Sequence, residues 1–516
     1  MKRSRNPITE SSSLTKKLGG ALFVSALVTV ASPQLAAADV TEAELKSISI
    51  PDKVDTSIGT LEFFDGIPIG NTVQTVYDNL DRMRATDVFL DNLGAVSINS
   101  ILDGLAREGA DAPNKIAVFE QLMDSATLVV TANTSTLYAY SGTDLAKDGP
   151  TVIEVPPGML GFLDDSWQRF VGNIGVTGPD KGKGGKYLVL PPGYEGDVPD
   201  GYFLLKPSTN RNFLFLRGFI KDGLEPAVQN ITSGLKIYPL KDAANPTPTE
   251  YVNVSGKSFN TVFPNDLKYF EILDAIIQRE PTDAIGPEIR GEIASIGIVK
   301  GQKFEPDDRM KKLLTEAGTL GNATARVITA YPRIEGVQIY PDTDSSWIMG
   351  FANKNTSFEA DGAMDLSARV LFYFNAGGVT PSMAVTTAGA GSDYAMASLD
   401  ADKKPLDGSK TYRLHLPPNV PVNDFWAVTL YDTQTRSQLQ TSQKFPTIGS
   451  QSEGMAKNAD GSYDVYFAPK APEGKEGNWL RTIPGKSWFP LLRMYGPLEA
   501  WIDKTWRPKE IELIKQ

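Results

Sequence analysis

Apolar residues recur at helical spacing from Thr72 to about Gly109: Val76, Leu80 and Met83 stand four and three apart, and Ile98, Ile101 and Leu105 three and four. From about Ala126 the period changes to two, in short runs closed by Pro and Gly. Residues 151–155 precede Pro156-Pro157-Gly158, and residues 186–190 precede Pro191-Pro192-Gly193. Residues 211–220 are apolar on both faces, as in a buried strand. This pattern predicts a β-sandwich. Helical spacing returns with Leu267, Phe270, Ile272, Leu273, Ile276 and Ile277, entered through a cap at Pro264 and Asn265. A further helix follows Pro306, with Asp307 and Asp308 in its first turn and Met310, Leu313 and Leu314 on its apolar face. After Pro332, runs at 368–374, 411–416, 425–431 and 463–467 predict strands between Gly, Pro and Asp-Gly turns. The tail from Pro497 is amphipathic and is expected to pack back on them.

The fold class expected is therefore mainly β with a helical module. Two β-sandwich domains, the C-terminal one jelly-roll-like, flank a small α-helical domain. The expected layout is a signal peptide at 1–38, a helical lead-in at 39–125, an N-terminal sandwich at 126–257, the helical domain at 258–332 and the C-terminal sandwich at 333–516.

The signal peptide rests on Lys2, Arg3, Arg5, Lys16 and Lys17 ahead of the apolar run 18–30, with Ala36, Ala37 and Ala38 as small residues before a cleavage site. The run is shorter than the ~20 residues a membrane span needs, and no later segment comes close, so the expectation is a periplasmic or secreted protein with no transmembrane segment after cleavage. The leader carries a charge of +4, and its removal takes the net charge from −11 to −15. An acidic body repels phosphate backbones, which argues against nucleic acid as a partner.

A single histidine, His415, and no cysteine in 516 residues exclude most familiar chemistry. Thiolate or multi-imidazole zinc sites and dithiol redox pairs need ligands this chain lacks, and a serine triad could draw only on His415, with a catalytic base the lesser alternative to a surface histidine there. No cofactor is expected. His415 alternates with Tyr412, Leu414 and Leu416 and falls with Arg413 on the opposite, solvent side of a strand. The Gly- and Lys-rich run 178–186 lacks the spacing of a phosphate loop and is followed by a strand, so it reads as an exposed turn capped by Asp180. Asp164-Asp165 and Asp342-Thr343-Asp344 read as turn carboxylates, with calcium as the lesser alternative.

Two stretches are too particular for a generic sandwich. One is GPDKGKGGKYLVLPPGY at 178–194. The other comprises Phe425-Trp426, the run 431–437, Asn478-Trp479-Leu480 and LRMYGP at 492–497. Together they resemble the paired bacterial families called domain of unknown function 1254, on the N-terminal side, and 1214, on the C-terminal side. The resemblance spans nearly all of the chain after the leader. It implies an N-terminal sandwich, a small helical insertion and a C-terminal jelly-roll-like sandwich, and brings no settled activity.

The candidate binding residues are Arg436, Asn478, Trp479, Arg493 and Tyr495 in the C-terminal sandwich, with Asn133, Thr136, Tyr138 and Trp167 in the N-terminal one. Leu491, Arg493 and Tyr495 alternate onto one strand face. An arginine beside a leucine on a core-facing side must be paired or must line a cavity, because an unpaired buried charge is costly. Asp432 is the expected partner. Either the set is a buried network holding the sheets together, or it is a pocket for a small polar or anionic ligand with Trp479 as its wall. Ligand binding is favoured. The alternatives are a cofactor-independent hydrolase of a carbohydrate or ester, using carboxylate or tyrosine chemistry, and an envelope-associated assembly protein or homo-oligomer.

Overall fold

The computed structural model describes residues 40–334 and 336–515, which fall into two units divided at Val73. The predicted signal peptide lies outside the described residues. In the first unit the short helix Glu42–Ser47 starts in a capping box: the Thr41 hydroxyl accepts from the Glu44 amide, and the Glu44 carboxylate accepts from the Thr41 amide. An antiparallel sheet of Lys53–Thr56, Gly59–Phe64 and Ile67–Pro68 follows. Asp65 and Gly66, both at positive φ, make its second turn.

In the second unit, a six-stranded sheet runs in the order Glu250–Asn253, Lys115–Phe119, Leu137–Asp144, Arg211–Gly218, Met159–Asp165, Phe170–Gly175. It faces a four-stranded sheet of Phe203–Leu205, Gly185–Val189, Thr151–Val155 and Lys236–Pro239. Ile153, Val189, Leu163, Leu214 and Leu216 fill the space between them. The outer face of the six-stranded sheet is covered as well. Phe119, Tyr140, Phe213 and Phe215 pack under Ile98, Ile101 and Leu105 of the helix Leu93–Arg107. This double burial is why the strand is apolar on both faces from Phe213 to Leu216.

The helices Thr72–Asp91, Leu93–Arg107, Leu267–Arg279, Asp308–Ala330 and Leu366–Asn375 share a core built from Phe89, Leu93, Phe270, Leu273, Leu314 and Phe372. Two local expectations need correction. Asp266, not Asn265, caps Leu267–Arg279, accepting from the Lys268 amide at 2.9 Å. Residues 368–374, expected as a strand, lie in the helix Leu366–Asn375, capped by Asp365. Ala368 and all residues from Val370 to Asn375 are buried. A segment buried all round shows neither period, so alternation was no guide there.

Of the remaining strands, Glu359–Ala360 and Ala363–Met364 pair with each other and the rest form two four-stranded sheets. One is Ser392–Met396, Trp488–Pro497, Val422–Asp432 and Thr447–Gly449; the other is Trp479–Arg481, Tyr463–Ala468, Tyr412–Leu416 and Glu512–Leu513. Trp426, Val428, Leu492, Leu414, Phe467 and Trp488 pack between them, and Trp501, Trp506 and Ile511 bring the tail onto the same core. Among the described residues, no helix is long and apolar enough to cross a membrane.

Candidate functional site

Two arginines project from sheets of different sandwiches into one cavity. Arg217 continues the face of Phe213 and Phe215 near the end of the strand Arg211–Gly218, and its Cα neighbour on the next strand is Tyr138. Arg493 lies between Leu491 and Tyr495 on Trp488–Pro497, with Tyr394 as a cross-strand neighbour. Both guanidinium groups line a cavity of about 100 Å³ with Thr131, Asn133, Tyr138 and Tyr394 on the polar side. Ile348, Phe351, Leu371, Phe372, Met396 and Leu491 form the apolar side.

The 131–133 loop anchors Arg493. Its Nη2 donates to the Thr131 carbonyl at 2.8 Å and its Nη1 to the Tyr431 hydroxyl at 2.7 Å, while that hydroxyl donates to the Ala132 carbonyl at 2.6 Å. Thr131 holds the loop in position at φ 44°, its amide donating to the Arg436 carbonyl at 2.8 Å and its hydroxyl to the Asn375 carbonyl at 2.7 Å. Arg493 is 4% exposed and has no carboxylate partner among the described residues. Arg217 makes only aromatic contacts, its guanidinium carbon 5.7 Å from the Tyr138 ring centre and 5.0 Å from that of Phe215. Its Nε is buried without a hydrogen-bond partner.

The other polar groups on this wall also have hydrogens to give. Asn133 spends its side-chain oxygen on the Ser135 and Thr136 amides and the Thr136 hydroxyl, which leaves its amide nitrogen free. The Tyr138 hydroxyl accepts from the Asn133 amide at 3.1 Å and keeps its own proton for another acceptor. The wall is thus rich in donors and carries two formal positive charges, with no aspartate or glutamate lining the cavity.

Burial pushes the Tyr431 phenol up to about 12, although Arg493 pulls it the other way, so the ring stays neutral at ordinary pH. Burial works against the charge on Arg493, but Tyr431, Tyr495, Tyr394 and Tyr138 outweigh it and the net shift is upward. Arg217 behaves the same way: burial disfavours its charge, Tyr138, Tyr394 and Tyr495 favour it, and its affinity for the proton rises.

Of the residues singled out in the sequence, the structure brings Arg493, Asn133 and Tyr138 together. Tyr495 stands beside them, its ring stacked on Phe425 at 4.1 Å and its hydroxyl 3.4 Å from the Ser135 hydroxyl. Arg436 is elsewhere. Its guanidinium stacks on Phe374 at 4.1 Å and lies 5.1 Å from Phe263. Nε donates to the Phe374 carbonyl and Nη1 to the Gln434 carbonyl, while Nη2 is buried without a partner. Its side chain borders a separate groove beside the helices Leu93–Arg107 and Leu267–Arg279. Asp432, the expected arginine partner, pairs with Lys486 instead.

Asn478 bonds the Ala456 backbone at both its amide and carbonyl, and the Asp464 carbonyl. Trp479 donates to the Ala468 carbonyl and Trp167 to the Asn92 side chain. These three residues stabilise loops and line no part of the arginine cavity. His415 pairs with Asp464 at 2.8 Å on a half-buried edge, and Asp180 accepts from the Gly184 amide and the Tyr187 hydroxyl, fixing the Gly- and Lys-rich turn.

Arg217 and Tyr394 were missed. For Arg217 the signal was present, because alternation places it on the face of Phe213 and Phe215 just as it places Arg493 beside Leu491.

Two apposed β-sandwiches with a layer of helices, enclosing an arginine- and tyrosine-walled cavity, define the class of protein. The chain carries two domains of unknown function in tandem: residues 113–239 match the family model DUF1254 and residues 391–499 match DUF1214. No curated protein matches the sequence. Among solved structures, the VPA0106 protein from Vibrio parahaemolyticus is similar over 84% of this chain and 100% of its own, at 17% identity and a TM-score of 0.50, which shows a shared fold. A putative uncharacterised protein from Burkholderia cenocepacia aligns over 86% of this chain and 97% of its own, at 13% identity and a TM-score of 0.38.

Proposed function

We propose that the protein is an exported binding protein for a small anionic ligand, held between the two sandwiches by Arg217 and Arg493. The observation that carries this reading is a cavity wall of donors with no carboxylate to answer them. A buried guanidinium without an anion is costly, and a ligand oxyanion would supply both the charge and the acceptors. The Tyr138 hydroxyl proton and the Asn133 side-chain nitrogen, both without a protein acceptor among the described residues, support this reading. The periplasmic or secreted location rests on the basic, apolar and small-residue order of the leader.

Hydrolase chemistry finds less support in this cavity. Paired carboxylates are missing from its wall, and the Tyr431 phenol, pushed up to about 12 by burial, is a poor base at neutral pH. Self-association is compatible with binding and rests on exposed Ile48, Ile50, Phe64, Ile67 and Ile69 in the first unit.

Calorimetry with benzoate, acetate and phosphate tests the binding reading. Saturable binding of at least one anion, lost in Arg217→Met and Arg493→Met, is the expected result. No heat from any of them with the wild-type protein would overturn it.

A further inference from the structure

The arginine cavity does not end at its polar wall. A second space of about 60 Å³ adjoins it and shares Thr131, Tyr138, Arg217, Ala376 and Met383 with the first. Its far walls are Tyr140, Phe162, Phe213 and Phe215. The rings are tightly set: Phe162 stacks on Phe215 at 4.7 Å and 10°, and Tyr140 lies 5.1 Å from Phe215. Gly378 closes this end. It sits at φ +132°, and a Cβ there would come within 2.6 Å of Phe162, so the backbone passes directly against the ring.

A free inorganic anion would use the two guanidinium groups and leave most of this lining idle. The apolar side of the first space and the aromatic walls of the second call for carbon. Their combined size is in the class of the ~150 Å³ apolar cavity that accepts one benzene ring. Resting on the anion-binding reading above, we infer that the ligand is an amphipathic monocarboxylate. Its planar head lies on Arg217 and Arg493, and its ring or short chain of about six carbons lies among Phe162, Phe215, Met383 and Leu371.

A carboxylate matches the fork of a guanidinium in two parallel hydrogen bonds. The apolar body accounts for the aromatic lining, because each buried carbon removes surface from water on ligand and protein alike. Met383 borders both spaces and is an unbranched side chain able to adjust to bodies of different shape.

The test is a calorimetric panel on the full-length mature protein: benzoate, hexanoate, acetate, phosphate and uncharged benzyl alcohol. Benzoate and hexanoate are expected to bind about tenfold or more tightly than acetate and phosphate, with no binding of benzyl alcohol. Arg217→Met should weaken benzoate by about tenfold or more. Met383→Phe, which fills the junction, should weaken benzoate and hexanoate by a larger factor than acetate. The wild-type panel decides the matter even where that variant fails to fold. Acetate or phosphate binding as tightly as benzoate would overturn the inference and leave anion binding standing. Benzyl alcohol equal to benzoate, or no binding of any anion, would overturn both.

Discussion

Replacing Arg217 with methionine separates a guanidinium kept for a ligand from one kept for the fold. In the ligand-free protein Arg217 donates to no described protein group, so no hydrogen bond is broken by its removal. It loses two cation–π contacts, at 5.7 Å to Tyr138 and 5.0 Å to Phe215, each worth roughly 0.5–2 kcal/mol. Methionine recovers ~0.3–1.5 kcal/mol of sulfur–aromatic contact at each ring. It also removes a desolvation penalty that amounts to several kcal/mol for a fully buried ion and less for one that borders a cavity. These terms nearly cancel and leave the variant within about 1 kcal/mol of the wild type. The same substitution at Arg493 is costly. It strands the Thr131 carbonyl and weakens the Tyr431 bridge, a loss of roughly 2–3 kcal/mol. Urea unfolding of dialysed protein measures both stabilities, and calorimetry measures benzoate affinity, which should fall by at least about tenfold in each variant. A loss of more than about 1 kcal/mol in Arg217→Met, with benzoate binding intact, would show that Arg217 is structural and refute the reasoning.

Arg436→Ala should cost roughly 2–4 kcal/mol by urea unfolding, from two lost hydrogen bonds and the stack on Phe374, with benzoate affinity unchanged because Arg436 faces away from the cavity. Asn478→Ala should lower stability by about 2–3 kcal/mol through three lost backbone bonds, again without effect on binding. Asp164 is fully buried; burial pushes its carboxyl well above the usual range, the Val379 amide opposes this, and Asp165 adds to it. The folded protein therefore holds a proton the unfolded chain releases above the ordinary aspartate range, and the stability this gives, complete below that range, is lost as pH rises through the folded value. Asp164→Asn should match the wild type near pH 4 and become progressively more stable than it toward pH 8 in urea unfolding; parallel curves would count against a protonated Asp164.

How much of this was legible in the sequence depends on whether a feature is local. The strands 412–416 and 422–432 and the helix Leu267–Arg279 follow from period and turn residues within their own spans. The helix Leu366–Asn375 was misread for a local reason too, since burial on all sides erased the period that would have identified it. The rule that flagged Arg493, a charge on a core-facing strand side, was sound and applied equally to Arg217. Residues 211–220 carry apolar side chains on both faces, which hides the charge of Arg217 on one of them. Asn478 and Trp479 bond nearby backbone, as polar groups inside a sandwich more often do.

The cavity itself is not a local property. Arg493 and Thr131 are 362 residues apart, and Tyr431 reaches Ala132 across 299. No spacing rule relates positions at such distances, so a sequence can name an arginine that needs a partner and cannot say which strand supplies the opposite wall. The physical meaning of Arg217 arises only when the two sandwiches meet. Alone on its sheet it would be a cation near the end of a central strand; with Arg493 and Tyr394 opposite, it is a half-buried charge beside a cavity with no acceptor among its described neighbours. Burial works against both charges, and the tyrosines beside them offset it. An anion bound between the guanidinium groups would give each sandwich an acceptor it shares with the other, coupling ligand affinity to the stability of their junction.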